Sequence, residues 1–259
     1  MKLEEIGVVV LSHGRRDKLE KSLKSYEENG LIDMVGDNFI FFNEVANDDI
    51  SLIENDYKSF EWGGHPQNLG IGWGMTKAID EIQTEYVLFL ENDFELQSDE
   101  KDIYLQLEMG YRNIKEGKID IVKYRNLDDY INTSNEARLW HIRKGRQGVE
   151  ETGHMYIGFA VEENYGYDNL DICNKVDESN NKVLWSMSCK NAGWSNNPFL
   201  CRKEWFLEIA TTIGFDLSQP LRPSNMRNPD FEEQIGIKYW PEQNYKVGIL
   251  PGLFTHQPM

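Results

Sequence analysis

The chain has 259 residues, 40% of them hydrophobic, which suits one large domain with a substantial core. Its formal net charge of −17 argues against non-specific nucleic-acid binding, and an anionic ligand would need help from a divalent cation or a local basic cluster. The three cysteines, Cys173, Cys189 and Cys201, form no CxxC pair, the start of the chain lacks the basic flank of a secretory signal, and no stretch approaches the roughly 20 apolar residues of a membrane span, so a soluble cytoplasmic protein without zinc site or disulfide framework is expected.

Residues 6–11 (IGVVVL) form a continuous β-branched run, the pattern of a strand buried on both faces. SHGR follows as a turn. Residues 17–29 read as an amphipathic helix with Leu19, Leu23 and Tyr26 on one side and Gly30 as its stop. A second strand is predicted over 39–42 (FIFF), ending at Asn43 and Glu44, then a short helix around 50–57 and a short strand over 60–62. Glycines at 70, 72 and 74 open a segment that becomes helical near Met75. Residues 86–90 (YVLFL) are another buried strand, with Glu91, Asn92 and Asp93 at its end. This rhythm implies a mostly parallel sheet with crossover helices, whose ligands bind beyond the carboxyl ends of the strands. Further on, a helix is expected over 102–116 and a strand over 119–124, followed by polar loops over 126–171. A strand over 183–187, helices over 203–212 and 231–237, and a last strand over 245–250 complete the reading, with no linker between them.

The sharpest chemical feature is VLFLENDFEL. Extended residues two apart face the same side, so Glu91 and Asp93 place two carboxylates together. They repel unless a cation or a proton intervenes, and oxygen ligands of this kind suit Mg²⁺ or Mn²⁺, which can also bind a diphosphate. An acidic strand end or a helix cap would carry the same letters. The second feature is NLGIGWGM, where glycines would let backbone approach a ligand and free N–H groups at a helix start could face an anion. Its spacing is not the GxGxxG of dinucleotide-binding domains, and there is no GxxxxGK[ST] loop.

Taken in order, IGVVVLSHGR, FFNE, NLGIGWGMTKAID and YVLFLENDFEL resemble the nucleotide-sugar half of GT-A glycosyltransferases, especially family-2-like ones, over roughly residues 6–96. The resemblance implies a single α/β domain of GT-A type. Residues 1–125 would bind the nucleotide sugar, and 126–259 would form an irregular acceptor region. The motif known as DxD in that family reads Glu91-Asn92-Asp93 here, departing from it at the first position. By this resemblance Asp93 would ligate Mn²⁺ or Mg²⁺, and Glu91 would contact the donor ribose, or the metal through water, with Asn92 beside them in the donor site. Ser12, His13 and Arg15 would line the nucleotide pocket. Glu44 would meet the base or ribose, and Asn68 and Gly70 would sit beside the nucleotide sugar. A turn histidine without a role is the plainer reading of His13.

The second half adds an acidic pair in PDFEEQIG. Inverting GT-A enzymes often place such a pair at a helix start, which nominates Glu233 as catalytic base, with Glu232 or Asp230 behind it. The same residues would also serve as a cap and as dipole partners of a helix. His256, in LFTHQPM, matches the late histidine that many GT-A enzymes use as a metal ligand, unless the tail frays. Trp194 is the best candidate among many aromatics for stacking on a sugar, and Arg143, Lys144 and Arg146 are the densest basic cluster. The expected activity is transfer from a nucleotide-diphosphate sugar, a UDP-sugar favoured, to a hydroxyl of a glycan or other acceptor, with inversion. A nucleotidyltransferase acting on sugar phosphates would place a basic glycine-rich loop where SHGRR stands, and a non-catalytic nucleotide-sugar-binding module would use the same acids for a structural ion.

Overall fold

Strand β1 (Leu3–Ser12) sits inside one sheet and alternates its side chains between two separate apolar layers. Ile6, Val8 and Val10 enter one layer, and Val9 and Leu11 the other, which is why the run needs no polar position. The computed structural model describes residues 2–126, 173–190, 192, 194–196, 198–219 and 231–257. Within them, α1 (Arg16–Glu28) and a short α2 (Leu31–Met34) lead to β2 (Val35–Asn43). Helix α3 (Asn47–Asp56), β3 (Glu61–His65), α4 (Ile71–Glu81), β4 (Tyr86–Glu91) and β5 (Phe94–Leu96) follow. Then come α5 (Glu100–Lys115), β6 (Ile121–Arg125), β7 (Cys173–Ser179) and β8 (Lys182–Ser188). The chain continues with β9 (Phe199–Arg202), α6 (Lys203–Thr212) and α7 (Phe231–Glu233), a π-helical turn at Gln234–Tyr239, and β10 (Lys246–His256).

The described strands form one ten-stranded sheet in the order β3-β2-β1-β4-β9-β6-β10-β8-β7, with β5 paired to β10. The block β3-β2-β1-β4 is parallel throughout. Strand β9 is inserted antiparallel between β4 and β6, and β10 runs parallel to β6, so β5, β8 and β9 are the strands that oppose the common direction. One face is covered by α1 and α5, through Leu19, Leu23, Ile103 and Leu107; the other by α4 and α6, through Trp73, Ile79, Phe206 and Ile209. The result is a mixed α/β sheet flanked by helices, as expected for the GT-A type.

Several expectations shift. Strands β5, β7 and β9 were not anticipated, and β10 runs on past residue 250 to His256. Pro251 and Gly252 do not end it. They form an irregularity, with Gly252 at φ 97° and a break in register between Ile249 and Phe254 against β6. The buried amide of Gln106 satisfies the displaced backbone, accepting from the Gly252 N–H at 3.0 Å and donating to its carbonyl at 3.2 Å. The helix expected over 231–237 is a single α-turn that widens into the π-helical turn. Cys189 and Cys201 are buried free thiols. Among the described residues no helix is long and apolar enough to cross a membrane. The expected loops over 126–171, together with Arg143, Lys144, Arg146 and Asp230, lie almost wholly outside the described residues.

Candidate functional site

The parallel register sets the site. Ser12 pairs with Phe42, Leu11 with Glu91, and Asn43 with His65, so the ends of β1, β2, β3 and β4 open at one edge of the sheet. Beyond β1 the chain turns through Gly14 and Arg15, both left-handed, at φ 58° and φ 50°. Glu44, beyond β2, is also left-handed at φ 89°. Apart from these two, the described non-glycine residues with positive φ are Asn180 and Asn181, in the tight turn between β7 and β8. Side chains other than asparagine and aspartate rarely occupy this region, at a cost of order 1–2 kcal/mol each, and such strain concentrates at functional sites.

Asn92 holds the first turn in place. Its backbone N–H donates to Leu11 O at 3.1 Å, and its side-chain amide donates to Gly14 O at 2.9 Å and to Ser12 Oγ at 3.4 Å. Its Oδ1 accepts from Arg15 at 3.3 Å. Asn92 and Ser12 are both buried, so their polar groups are used inside the turn, where they position Arg15.

Asp93 is buried and is reached from two directions. Arg15 Nη1 donates to its Oδ2 at 2.7 Å, and His256 Nε2 lies 3.2 Å from the same oxygen. Its Oδ1 is buried and accepts no hydrogen bond from the described residues. The pairing of His256 with Phe94 across β10 and β5 brings the imidazole there, and the two rings meet edge to face. The segment is packed rather than frayed. Gln257 N donates to Asp93 O at 2.8 Å, and the Gln257 side chain donates to Lys18 O and Ser22 Oγ, each at 2.9 Å.

Glu91 is partly buried at the same edge. Burial, then the charges of Asp93 and Glu232, push its carboxyl up to about 7, with Arg15 opposing. Glu232, from α7, is therefore close enough to act on Glu91, and its Oε1 accepts from Asn196 N at 3.2 Å. The structure describes Glu233 at the level of its backbone only. Among the described residues no group of three or more His, Cys, Asp or Glu is assembled as a metal cage.

The outer part of the site is polar and open. Exposed His13 lies with Nε2 3.2 Å from Glu44 Oε2 and 2.9 Å from Asn68 Nδ2. Asn68 Oδ1 caps the turn into α4 by accepting from Gly70 N at 2.7 Å, and Gly70 itself has φ 77° and ψ 166°, a conformation open essentially to glycine alone. The other two glycines serve packing. A Cβ on Gly72 would meet the Phe215 ring at 2.2 Å, and one on Gly74 would press on Asn43 and Leu11 at 3.0–3.1 Å.

Trp194 is not available for stacking on a sugar. It is buried among Phe199, Phe206, Phe231 and Trp240 and donates to Asn196 Oδ1 at 3.0 Å. Two residues that the sequence reading did not single out help to build the site. Asn43 is buried and holds the glycine segment. Lys123, on β6, donates to Ser195 O at 2.6 Å and lies over the Trp194 and Phe199 rings at 4.6 and 4.9 Å. Burial pushes its ammonium down to about 7, against the pull of Cys201 and Glu232. A lone lysine inside the IVKY strand was the available signal.

No family model and no curated protein matches the chain at a significant level. Solved structures of Staphylococcus aureus TarS resemble it in three dimensions. The TarS 1–349 structure aligns at TM-score 0.54 and 12% identity, over 99% of this chain and 60% of TarS 1–349. Its complex with UDP aligns at 0.54 and 13%, over 100% and 61%, and its complex with UDP-GlcNAc at 0.55 and 12%, over 100% and 59%. The chain thus spans about three fifths of those TarS chains, and 37% of the longer TarS structure. At this identity the likeness concerns the fold, and the fold of this chain is GT-A-like.

Proposed function

We propose that the chain is a nucleotide-sugar-dependent glycosyltransferase that takes a sugar from a UDP-sugar and delivers it, with inversion, to a hydroxyl of a glycan or other acceptor. The observation that carries this reading is the meeting of Asp93, Arg15 and His256 beyond the end of β4. It occurs in a fold shared with proteins solved with UDP and UDP-GlcNAc.

A divalent cation fits the residues at Asp93. The buried Oδ1, which has no hydrogen-bond partner among the described residues, and the imidazole beside Oδ2 give one carboxylate and one nitrogen ligand, a set that suits Mn²⁺ as well as Mg²⁺. A cation held there would neutralise charge on the diphosphate leaving group. Around it, the chain's own groups divide the work. Arg15 supplies N–H donors toward phosphate. His13, Glu44 and Asn68 face the nucleoside. Glu91, with its carboxyl near 7, exchanges a hydrogen bond with a ribose hydroxyl in either protonation state. Glu232, whose charge reaches both Glu91 and Lys123, is assigned as the base that takes the acceptor proton, with Glu233 as the alternative.

The test is a thermal-shift series with UDP, GDP, CDP and TDP, each with Mn²⁺ and with EDTA. Binding to the native state alone raises stability by about 2.7 kcal/mol at a hundredfold excess over Kd. A shift with UDP that EDTA removes is expected. Full transfer activity in EDTA would sink the metal role. No shift with any of the four nucleotides, and no hydrolysis of the corresponding nucleotide sugars, would sink the nucleotide-sugar reading.

A further inference from the structure

We propose that Arg15 is a stand-in cation, which neutralises Asp93 before the donor arrives and moves to the donor diphosphate when a divalent cation takes its place. The inference rests on the reading of Asp93 and His256 as cation ligands and adds an order of events to it.

Three observations lead there. First, the contact is single-pointed. An Arg–Asp pair built for permanence is commonly a two-point fork. Here Arg15 gives Nη1 to Asp93 Oδ2 and Nη2 to Asn92 Oδ1, while the buried Asp93 Oδ1 takes no hydrogen bond from the described residues. Second, the two partners differ in freedom. The Asp93 side chain is 4% exposed and that of Arg15 is 52% exposed, so the guanidinium reaches in from the mouth of the site and can leave without disturbing packing. Third, its backbone is held independently of its side chain. The left-handed turn at Gly14 and Arg15 is held by the Asn92 amide, so a swing of the side chain needs no change in α1.

The charges give the motion a direction. Glu91, Asp93 and Glu232 make this end of the sheet acidic, which opposes both a lone diphosphate and an uncompensated exchange of cations. Arg15 and a divalent ion cannot share Asp93 comfortably, because like charges repel. A diphosphate that accepts the displaced guanidinium removes that conflict. Cation and nucleotide should therefore bind with positive coupling, and the coupling is reciprocal.

The experiment measures Mn²⁺ binding by the loss of free-ion electron paramagnetic resonance signal, without and with UDP, in the native protein, Arg15→Met and Arg15→Gly. The glycine variant fits the left-handed backbone and guards against a folding defect. In the native protein UDP should tighten Mn²⁺ binding. Without UDP both variants should bind Mn²⁺ about tenfold more tightly than native, as expected for release of a charge-assisted hydrogen bond, and the effect of UDP should shrink. Unchanged or weaker Mn²⁺ binding by both variants, with native Mn²⁺–UDP binding intact, overturns the role of Arg15 and leaves the metal site standing. No Mn²⁺ binding by any of the three, with or without UDP, overturns the metal reading and this inference together.

Discussion

Asn43 Nδ2 donates to Asn68 Oδ1 at 3.2 Å, joining the end of β2 to the glycine segment that enters α4. The same Asn43 amide accepts from Leu69 N at 2.7 Å and donates to Gly70 O at 3.2 Å. One buried side chain thus binds the Asn68 side chain and the backbone of the two residues that follow it. Asn43→Ala should cost about 1–3 kcal/mol of stability, since it removes three hydrogen bonds of a buried amide, the 2.7 Å bond from Leu69 N among them. It should also weaken nucleotide binding, because Asn68 and Gly70 lose their reference point. Urea denaturation and a UDP titration check the two effects. Native-like values in both would show that the segment holds itself.

The glycines of NLGIGWGM predict two different failures. Gly72→Ala places a methyl into the Phe215 ring and should destabilise by roughly 1–3 kcal/mol through overpacking. Phe215→Leu in the same chain should recover part of that loss. Gly70→Ala meets a backbone restriction instead, at φ 77° and ψ 166°, so no neighbouring substitution should rescue it. Melting temperatures of the two single variants and of each combined with Phe215→Leu separate the mechanisms.

The first ninety-odd residues were legible because their strands are buried on both faces and their helices are amphipathic. IGVVVL and YVLFL admit little else, and the acids and amides at their ends fall where parallel strands place ligands. The later half was less legible for local reasons. Strand β5 has three residues and β9 four, too few for a period to show. The Pro251-Gly252 pair reads as a stop, and only Gln106, far away in sequence, makes it a passable irregularity. The GlyxGlyxGly pattern is visible, but Phe215 and Asn43, which explain two of its members, are remote. Trp194 looked like a loop aromatic because its neighbours are polar, yet four rings from other elements enclose it.

Lys123 should leave a pH signature on stability. In the folded chain burial holds its ammonium at about 7, below the usual 10.5. Below pH 7 it is charged in both states, and the folded state bears the desolvation cost. Between pH 7 and 10.5 the unfolded chain keeps a proton that the folded chain has released, so stability rises with pH. Lys123→Met removes this dependence. The native protein should therefore gain about 1–3 kcal/mol relative to the variant between pH 6.5 and 10, allowing for the solvent that reaches a partly buried side chain. The slope is the informative quantity, because the variant also loses the bond to Ser195 O and the contacts with two rings. Parallel curves for the two proteins would mean that Lys123 stays charged in its pocket.

The choice between Glu232 and Glu233 turns on how the Ser195-Asn196 segment is held. Lys123 grips the Ser195 carbonyl, and Glu232 accepts from the adjacent Asn196 N–H, so one peptide link orders both side chains. Trp194 fixes the Asn196 side chain from the core. A carboxylate restrained in this way is held in one orientation toward a substrate hydroxyl. Glu232→Gln preserves the acceptor for Asn196 and removes the basicity. Its kcat should fall by about 10²–10⁴, with donor KM within about threefold of native. Glu233→Gln should change kcat by less than about tenfold, as expected where Glu232 carries the proton transfer. The reverse pattern in steady-state kinetics would assign the base to Glu233 and leave Glu232 as a brace for the segment.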